Sequence, residues 1–356
     1  MNQFPRGISL RAAQAARLFT PGPRPAVLAA MLLLAGCAGP TAPPLPRLAI
    51  DPGRVAVAGV SSGAYMATQV HFAYSDRLAG AALVAGGPYG CAEGKLEVAL
   101  GPCMKAEPAA PDAVRLAAGV RERAAAGALA PVAGLAGDRV LVLHGRHDRT
   151  VSAEVSRAAL DVYQLLAPDA PAMRLRFEGD GDFGHVMPTL RAGADCAAGG
   201  PPHLGACGLD AAGQALGWLF EAGGTATEAS GELRRFDQAA HAPDDVDPLL
   251  ADEGFLYVPA ACAGGERCGA VVVFHGCEQD IGRLGDRFAR EAGFNRWADV
   301  HRLVVLYPQA RSSYLPLNPK ACWDWWGYTG PDYDTRRGAQ LRWLASAMAA
   351  LGAPLE

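Results

Sequence analysis

The sequence predicts an α/β fold with a mostly parallel central sheet and helices on both faces. Short runs rich in Val, Leu and Ala alternate with longer segments of helical pattern along most of the chain. Such alternation is typical of parallel strands that are connected by helices. The chain has 356 residues, of which 50% are hydrophobic and 19% are charged, which is enough for one large domain or two small ones.

The predicted elements form two groups, separated by a polar, glycine-rich segment at residues 223–231. The first group has predicted strands at 54–58, 80–85, 139–143 and 173–177 and predicted helices at 64–72, 109–126 and 153–166. The second group has predicted strands at 232–236, 255–258, 270–274 and 303–306 and predicted helices at 284–300 and 335–351. The first two strands of the second group lack a long helix between them, so we expect them to be antiparallel.

The N-terminal segment has the pattern of an export signal. Residues 1–36 contain four arginines and no Lys, Asp or Glu, and the apolar run at 26–34 is too short to span a bilayer as a helix. The run ends in Leu34-Ala35-Gly36-Cys37, which resembles the lipobox of bacterial lipoproteins, in which the Cys is lipidated after cleavage. We expect a lipid anchor at Cys37 on the outer membrane. The alternative is an ordinary secretory signal and a periplasmic or extracellular product.

Cleavage there would also change the charge of the chain. Removing the four arginines takes the formal net charge from −4 to −8. An acidic protein is a poor candidate for binding a phosphate backbone, so we expect no nucleic-acid partner. Residues 37–50 are rich in proline and predict an extended tether ahead of a single domain at 51–356.

Eight cysteines remain when Cys37 is set aside. An even number in an exported chain indicates disulfides, and the sequence has no Cys-x-x-Cys pair to favour zinc binding. Pairing 91 with 103, 196 with 207 and 262 with 268 would close short loops and leave 277 for 322. Many other pairings are possible, so the sequence leaves the connectivity open.

The candidate nucleophile is Ser61, in Gly59-Val60-Ser61-Ser62-Gly63, between a predicted strand and a predicted helix. On a sharp strand-to-helix turn, a Gly-x-Ser-x-Gly motif exposes the serine hydroxyl at the edge of the sheet. The N-terminus of the helix then favours negative charge that develops during a reaction. The motif alone often marks a plain loop, so the interpretation depends on its place between these two elements.

A serine nucleophile needs a general base, and the base needs an acid that orients it. In this kind of fold their chain order is Ser, then Asp or Glu, then His. Asp148 lies in the loop after the strand at 139–143, and His185 follows the next predicted strand, so we predict them as acid and base. Asp180 and Asp182 are less suitable acids because they lie too close to His185 in sequence. The other histidines are interpreted as surface or structural residues.

The residues expected to form the oxyanion hole indicate an unusual order of elements along the chain. One donor is expected from the backbone N–H of Ser62, and the second from a His-Gly loop that usually follows an earlier strand. Too few residues precede the nucleophile strand to provide that loop, but His275-Gly276-Cys277 follows the strand at 270–274. His144-Gly145 is the rival, and it is already explained by the neighbouring acid. We therefore predict a circularly permuted α/β-hydrolase domain with its junction near 223–231.

Five runs that include rare residues support this interpretation. They are Gly59-Val60-Ser61-Ser62-Gly63-Ala64-Tyr65-Met66-Ala67, His275-Gly276-Cys277, Asn295-Arg296-Trp297-Ala298-Asp299, Leu306-Tyr307-Pro308-Gln309-Ala310 and Cys322-Trp323-Asp324-Trp325-Trp326-Gly327-Tyr328. Together they resemble the circularly permuted poly(3-hydroxybutyrate) depolymerases of the fungal single-domain type, over nearly all of residues 50–350. The resemblance implies an α/β-hydrolase fold and the hydrolysis of polyhydroxyalkanoate esters.

The resemblance also implies roles for particular residues. Ser61, Asp148 and His185 would form the catalytic triad, and the backbone N–H groups of Ser62 and Cys277 would hold the oxyanion. We therefore expect an acyl transfer through a serine ester that requires no metal or cofactor.

The tryptophan-rich segment after Cys322 offers stiff apolar surfaces that suit methyl-bearing ester units. The resemblance implies a disulfide from Cys277 to Cys322, which would tether this segment to the oxyanion loop. The candidate substrate contacts are Tyr65, Trp323, Trp325 and Trp326. For at least two of the three tryptophans, core packing is the preferred interpretation. Strand-like alternation would put Trp323 and Trp325 on one side and Trp326 on the other, and which of them lines the cleft stays open.

A lipid anchor at Cys37 departs from the family pattern, because depolymerases that attack external granules are usually released. Membrane association is expected only through that anchor, the oligomeric state is not defined, and soluble oligomers or other short esters are alternatives to the polymer. A feruloyl or acetyl-xylan esterase is the alternative enzyme, since it shares the His-Gly-Cys and Trp features. The non-enzyme alternative is a lipoprotein binding module with an inactive hydrolase fold.

Overall fold

An eight-stranded sheet lies at the centre of the computed structural model, which describes residue 22, residues 42–221 and residues 223–356. The strands are β1 (Ile50–Val60), β2 (Gly80–Val84), β3 (Arg139–Gly145), β4 (Arg174–Gly181), β5 (Met187–Thr189), β6 (Leu204–Ala206), β7 (Glu232–Asp237), β8 (Glu253–Val258), β9 (Cys268–Phe274) and β10 (Leu303–Tyr307). The helices are α1 (Ser62–Ala73), α2 (Leu96–Leu100), α3 (Pro102–Lys105), α4 (Ala113–Ala125), α5 (Ala153–Leu166), α6 (Ala211–Phe220), α7 (Ala260–Ala263), α8 (Ile281–Leu284), α9 (Arg287–Glu291), α10 (Phe294–His301) and α11 (Ala339–Leu351).

The strand order is β4-β3-β2-β1-β9-β10-β8-β7, and the pairings are parallel except for the two that involve β8. The predicted mostly parallel sheet and the antiparallel strands of the second group are confirmed. In β1, Val57 lies opposite Ala81 of β2 on one side and Val272 of β9 on the other. Because parallel strands end at the same edge of a sheet, the loops after β1, β3 and β9 are brought together there.

Alternate side chains of β1 face two separate apolar cores. Val55 and Val57 belong to the core formed with α1, α5 and α11, whereas Ala56 and Ala58 belong to the core formed with α6 and α10. All four side chains are buried. A parallel sheet that is covered on both faces requires this two-sided burial, which holds β1 firmly beneath the turn that follows it.

The predicted helix at 284–300 forms instead as the three short helices α8, α9 and α10. Gly285 and Gly293 lie between them with φ values of 58° and 96°, and this left-handed backbone ends each helical turn. The predicted helix at 335–351 begins later, at Ala339, after a turn.

The predicted signal segment and lipidation site, residues 1–37, lie outside the described residues. The described part of the predicted tether at 37–50 packs on the domain instead of extending from it. Leu45 is buried, and the Pro43 carbonyl accepts a hydrogen bond from the Asp237 N–H at 2.8 Å. Among the described residues, no helix combines the length and apolarity that a membrane span requires.

Four disulfides form, and they match the pairing in which three short loops close and Cys277 is left for Cys322. They join Cys91 to Cys103, Cys196 to Cys207, Cys262 to Cys268 and Cys277 to Cys322. Disulfides persist in oxidising compartments, so their number is typical of an exported protein.

Candidate active site

The turn from β1 into α1 places Ser61 in a strained backbone conformation, with φ 56° and ψ −124°. A side chain on Gly59 would collide with the Gly63 carbonyl. A side chain on Gly63 would collide with the carbonyl oxygens of Phe274 and His275, at the end of the neighbouring strand. Both glycines of the motif are therefore required by close packing, and the hydroxyl stands at the carboxyl edge of the sheet.

Three side chains from separate loops form one hydrogen-bonded chain at this edge. His185 Nε2 lies 2.8 Å from Ser61 Oγ, and His185 Nδ1 lies 2.8 Å from Asp148 Oδ2. The second Asp148 oxygen accepts the Thr150 and Val151 N–H groups at 2.8 and 2.9 Å. The structure thus brings the three predicted residues together in an order that allows the imidazole to take the serine proton.

The environment of Asp148 favours its ionised form. Burial alone would raise the pKa of this carboxyl group, but the hydrogen bond and charge of His185, together with the two backbone N–H groups, hold the pKa of Asp148 below its usual range. An ionised carboxylate at Nδ1 fixes the imidazole tautomer that leaves Nε2 free to accept a proton.

The rival acid and the rival His-Gly pair have other contacts. Asp182 is exposed and forms ion pairs with Arg146 and His147, each at 2.8 Å. His144 is buried, and its Nδ1 lies 2.9 Å from Ser156 Oγ. These contacts stabilise the loops around the site without reaching the base.

Two backbone N–H groups beside the nucleophile, those of Ser62 and Cys277, have no acceptor among the described residues. His275 Nε2 accepts the Ala310 N–H at 3.1 Å, so Nδ1 carries the proton and donates it to the Gly276 carbonyl at 2.6 Å. In a trans peptide the carbonyl and the next N–H point in opposite directions. The bond from His275 therefore sets the direction of the Cys277 N–H.

The sequence did not reveal which side chains hold this oxyanion loop. Burial lowers the pKa of His275 to about 4, so the ring is neutral at pH 7. Gln279 is also buried. Its Oε1 accepts the Gly276 N–H at 2.7 Å, and its Nε2 donates to the His203 carbonyl at 3.0 Å. The loop is thereby fixed to a segment near the base, and a lone glutamine gives no sequence signal for this role.

The chain is similar to known depolymerases of poly(3-hydroxybutyrate), or PHB. The family model described as Esterase PHB depolymerase matches residues 253–349. A depolymerase of this polymer from Delftia acidovorans is 37% identical over 303 residues, which cover 83% of this chain and 59% of that protein. A polyhydroxybutyrate depolymerase from Talaromyces funiculosus is 31% identical over 329 residues, which cover 88% of this chain and 93% of that protein. The chain belongs to the PHB depolymerase family.

Two solved structures of PHB depolymerases share the fold. A depolymerase complexed with an R3HB trimer has a TM-score of 0.77 and 29% identity, and the match covers 87% of this chain and 99% of that chain. The depolymerase from Penicillium funiculosum has a TM-score of 0.76 with the same identity and coverage. The predicted α/β-hydrolase fold and the family resemblance are confirmed.

In this member of the PHB depolymerase family, an apolar cavity of about 300 Å³ lies beside Ser61. One wall carries Leu96 and Leu100, which lie within the loop closed by the first disulfide. The other wall carries Trp325 and Trp326, shortly after the disulfide to the oxyanion loop. A mostly apolar pocket of this size suits a small ligand with few polar groups.

The three tryptophans of this segment do not point to alternate sides as the predicted strand-like alternation requires. Trp323 is 1% exposed and packs edge-on against Phe274 with ring centroids 5.0 Å apart, so it belongs to the core. Trp325 stacks on Tyr65 at 4.1 Å and lies perpendicular to Trp326 at 5.7 Å. Contrary to the prediction, Trp323 does not line the cavity, whereas the other three candidates do.

The tryptophan segment departs from strand-like alternation because the Asp324 side chain stabilises a turn within it. The buried Asp324 carboxylate accepts the N–H groups of Gly327, Tyr328 and Thr329 at 2.7, 2.9 and 2.7 Å. Our sequence reasoning missed this role, although an aspartate shortly before a glycine is a known signal for a side-chain-stabilised turn.

Proposed function

We propose that this chain hydrolyses the ester bonds of poly(3-hydroxybutyrate) or its oligomers through an acyl-enzyme intermediate. The observation that carries the proposal is the hydrogen-bonded chain from Asp148 through His185 to Ser61 beside an apolar cavity. The relatives support the substrate class, because they are depolymerases of this polyester and one related structure contains an R3HB trimer.

In the first half of the reaction, His185 Nε2 takes the Ser61 proton as Oγ attacks the ester carbonyl carbon. Ionised Asp148 stabilises the imidazolium that forms. His185 then gives the proton to the leaving alcohol oxygen, the ester C–O bond breaks, and the acyl group stays on Ser61. Water repeats the sequence on the acyl-enzyme and releases the acid.

The backbone N–H groups of Ser62 and Cys277 would bind the negative oxygen of each tetrahedral intermediate. They are suited to this because they have no other acceptor among the described residues and because His275 fixes one of them in direction. Preorganised donors cost no rearrangement when charge develops, and a single donor is typically worth about 10²- to 10³-fold in kcat.

The acyl side of the substrate would occupy the apolar cavity, since the two oxyanion donors line it. The stacked Tyr65 and Trp325 rings form a rigid apolar surface for the methyl and methylene groups of hydroxybutyrate units. Trp326 and Leu100 extend this surface toward the next unit of an oligomer.

We also propose a lipid anchor at Cys37 and a circular permutation. The lipobox-like sequence supports the first, and the four disulfides agree with export. The strand order supports the second, because β9 carries the oxyanion loop beside β1 but follows His185 in the chain. The junction would be the segment 223–231, between α6 and β7.

Product analysis tests the proposed function. Wild type and Ser61→Ala are incubated with suspended polymer, with the R3HB trimer and with p-nitrophenyl butyrate. We expect soluble hydroxy acids from the wild type and none from the variant. A wild type that cleaves only the nitrophenyl ester contradicts the substrate, and activity on feruloyl or acetyl-xylan esters would then favour that esterase. A wild type whose Ser61 fails to react with a fluorophosphonate probe favours the inactive binding module.

A further inference from the structure

A second cavity, of about 610 Å³, lies on the other side of the base and differs in chemistry from the apolar one. The residues that line it include His185, Arg149, Thr150, His203, Gly199 and Gly200. Alanine is the largest aliphatic side chain in its lining. The acyl side of the substrate, which the proposed reaction places in the apolar cavity, does not occupy this second cavity.

The geometry of the reaction places the leaving part of the substrate in this second cavity. His185 Nε2 must pass its proton to the leaving alcohol oxygen, so the leaving unit lies against His185. Ser62 and Cys277, which would hold the carbonyl oxygen, line the apolar cavity instead. In a chain of 3-hydroxy acid esters, the alcohol side of every ester bond leads toward the free carboxyl end.

Arg149 contributes to this cavity a positive charge that forms no ion pair within the described residues. Its side chain is exposed, and no carboxylate of the described residues pairs with it, whereas the neighbouring Arg146 pairs with Asp182 at 2.8 Å. Lys105 adds a second cation nearby, since its Nζ donates to the Arg149 carbonyl. A guanidinium group matches the geometry of a carboxylate and binds it through two hydrogen bonds.

The rest of the lining also suits an anion. Asp195 is the acidic residue of this lining, and its charge would oppose a bound anion. Its Oδ1, however, accepts the N–H groups of Ala197 and Ala198 at 3.1 and 2.8 Å. Gly199 and Gly200 follow with φ values of 68° and 85°, and their N–H groups have no acceptor among the described residues. Successive backbone N–H groups in such turns form concave anion sites.

We propose that the second cavity binds the free carboxylate of the leaving 3-hydroxy acid, so that oligomers are shortened from their acid end. The inference rests on the proposed function. Ser61 Oγ bonds to the carbonyl carbon of the second-last unit, and the ester C–O bond to the last unit breaks. The alcohol oxygen of the last unit takes the proton from His185, and this unit leaves with its carboxylate beside Arg149. Water then releases the shortened oligomer from Ser61.

The test compares the R3HB trimer as the free acid with its methyl ester, which removes the charge and keeps the chain. We expect the wild type to favour the acid in kcat/KM by about fivefold at low salt, which is the scale of an exposed ion pair, and to lose this preference as salt is added. In Arg149→Gln the ratio should fall close to unity. Arg77→Gln should keep the wild-type ratio, because Arg77 precedes β2 at the opposite edge of the sheet.

A wild-type ratio at or below unity overturns the inference, and so does an Arg149→Gln variant that keeps the wild-type ratio. Because each ratio is taken within one variant, a partial loss of folded protein cancels. Failure of the proposed function looks different: the wild type then cleaves p-nitrophenyl butyrate but neither form of the trimer.

Discussion

The two halves of the chain contribute different parts of the site. The triad half, residues 50–189, contains the proposed nucleophile, acid and base. The oxyanion half, residues 253–326, contains the proposed second oxyanion donor and the tryptophan wall of the apolar cavity. They meet because β1 and β9 are neighbours in the sheet. Proton transfer and recognition can therefore be damaged separately: changes to the triad residues should slow every ester alike, and changes to the tryptophan wall should depend on the substrate.

The largest effect is expected for Asp148→Asn, in the triad half. An amide at this position no longer favours the tautomer that accepts the Ser61 proton, so kcat should fall about 10⁴-fold. Steady-state kinetics should give the same factor for the R3HB trimer and for p-nitrophenyl acetate. Asp182→Asn is the matched control, because it changes an exposed carboxylate that pairs with Arg146 and His147, and it should have little effect. Equal losses in both variants would contradict the choice of acid.

The next effect is expected for His275→Phe, in the oxyanion half. Phenylalanine keeps a ring against Trp323 but removes the hydrogen bond to the Gly276 carbonyl. With the Cys277 N–H no longer held in direction, kcat should fall about 10²-fold while KM changes little.

The matched control for His275 is His144→Phe, which alters the rival buried His-Gly pair. This variant removes the contact with Ser156. It should lower the free energy of unfolding but have little effect on kcat. A larger loss of kcat in this control than in His275→Phe would place the second oxyanion donor in the triad half and contradict its assignment to Cys277.

Trp325→Ala should reduce kcat/KM for the R3HB trimer much more than for a small ester. Removing the ring that stacks on Tyr65 takes away apolar contact worth about 1.5–3 kcal/mol, so kcat/KM for the trimer should fall about 10- to 100-fold. The small acyl group of p-nitrophenyl acetate leaves most of the cavity empty and should lose much less. Equal losses on both esters would mean that Trp325 supports the fold and not recognition.

The smallest effect is a dependence of stability on pH in the triad half. Because the folded-state pKa of Asp148 is lowered, its ionisation stabilises the fold above the ordinary carboxyl pKa, and this contribution disappears as pH falls through the lower folded-state value. Asp148→Asn should therefore lose more free energy of unfolding near neutral pH than in strong acid. Denaturant unfolding across the pH range measures it, and an equal loss at every pH would contradict it.

The sequence predicted the parts of the molecule that depend on local pattern. The buried runs of the strands and the turn between Gly59 and Gly63 leave periodic or compositional signals, because backbone sterics and burial act on neighbouring residues. The short disulfide loops were also recognisable, since nearby cysteines close with little loss of chain entropy.

The missed features depend on contacts between distant segments. Gln279 holds the oxyanion loop through the carbonyl of His203, which is far away in the chain, so no spacing rule reveals it. Trp323 was one of the candidate substrate contacts, but the turn around Asp324 directs it into the core against Phe274. A periodicity argument assumes a regular strand, and this segment is not one.

The proposed mechanism requires that Ser61 forms an ester with the acyl part of the substrate. Wild-type enzyme is mixed with the R3HB trimer, quenched in acid during turnover, digested and analysed by mass spectrometry. We expect hydroxybutyryl groups on the peptide that contains Ser61, and none in Ser61→Ala. Acylation of a different residue, or turnover with no acylated peptide at any quench time, would contradict this mechanism.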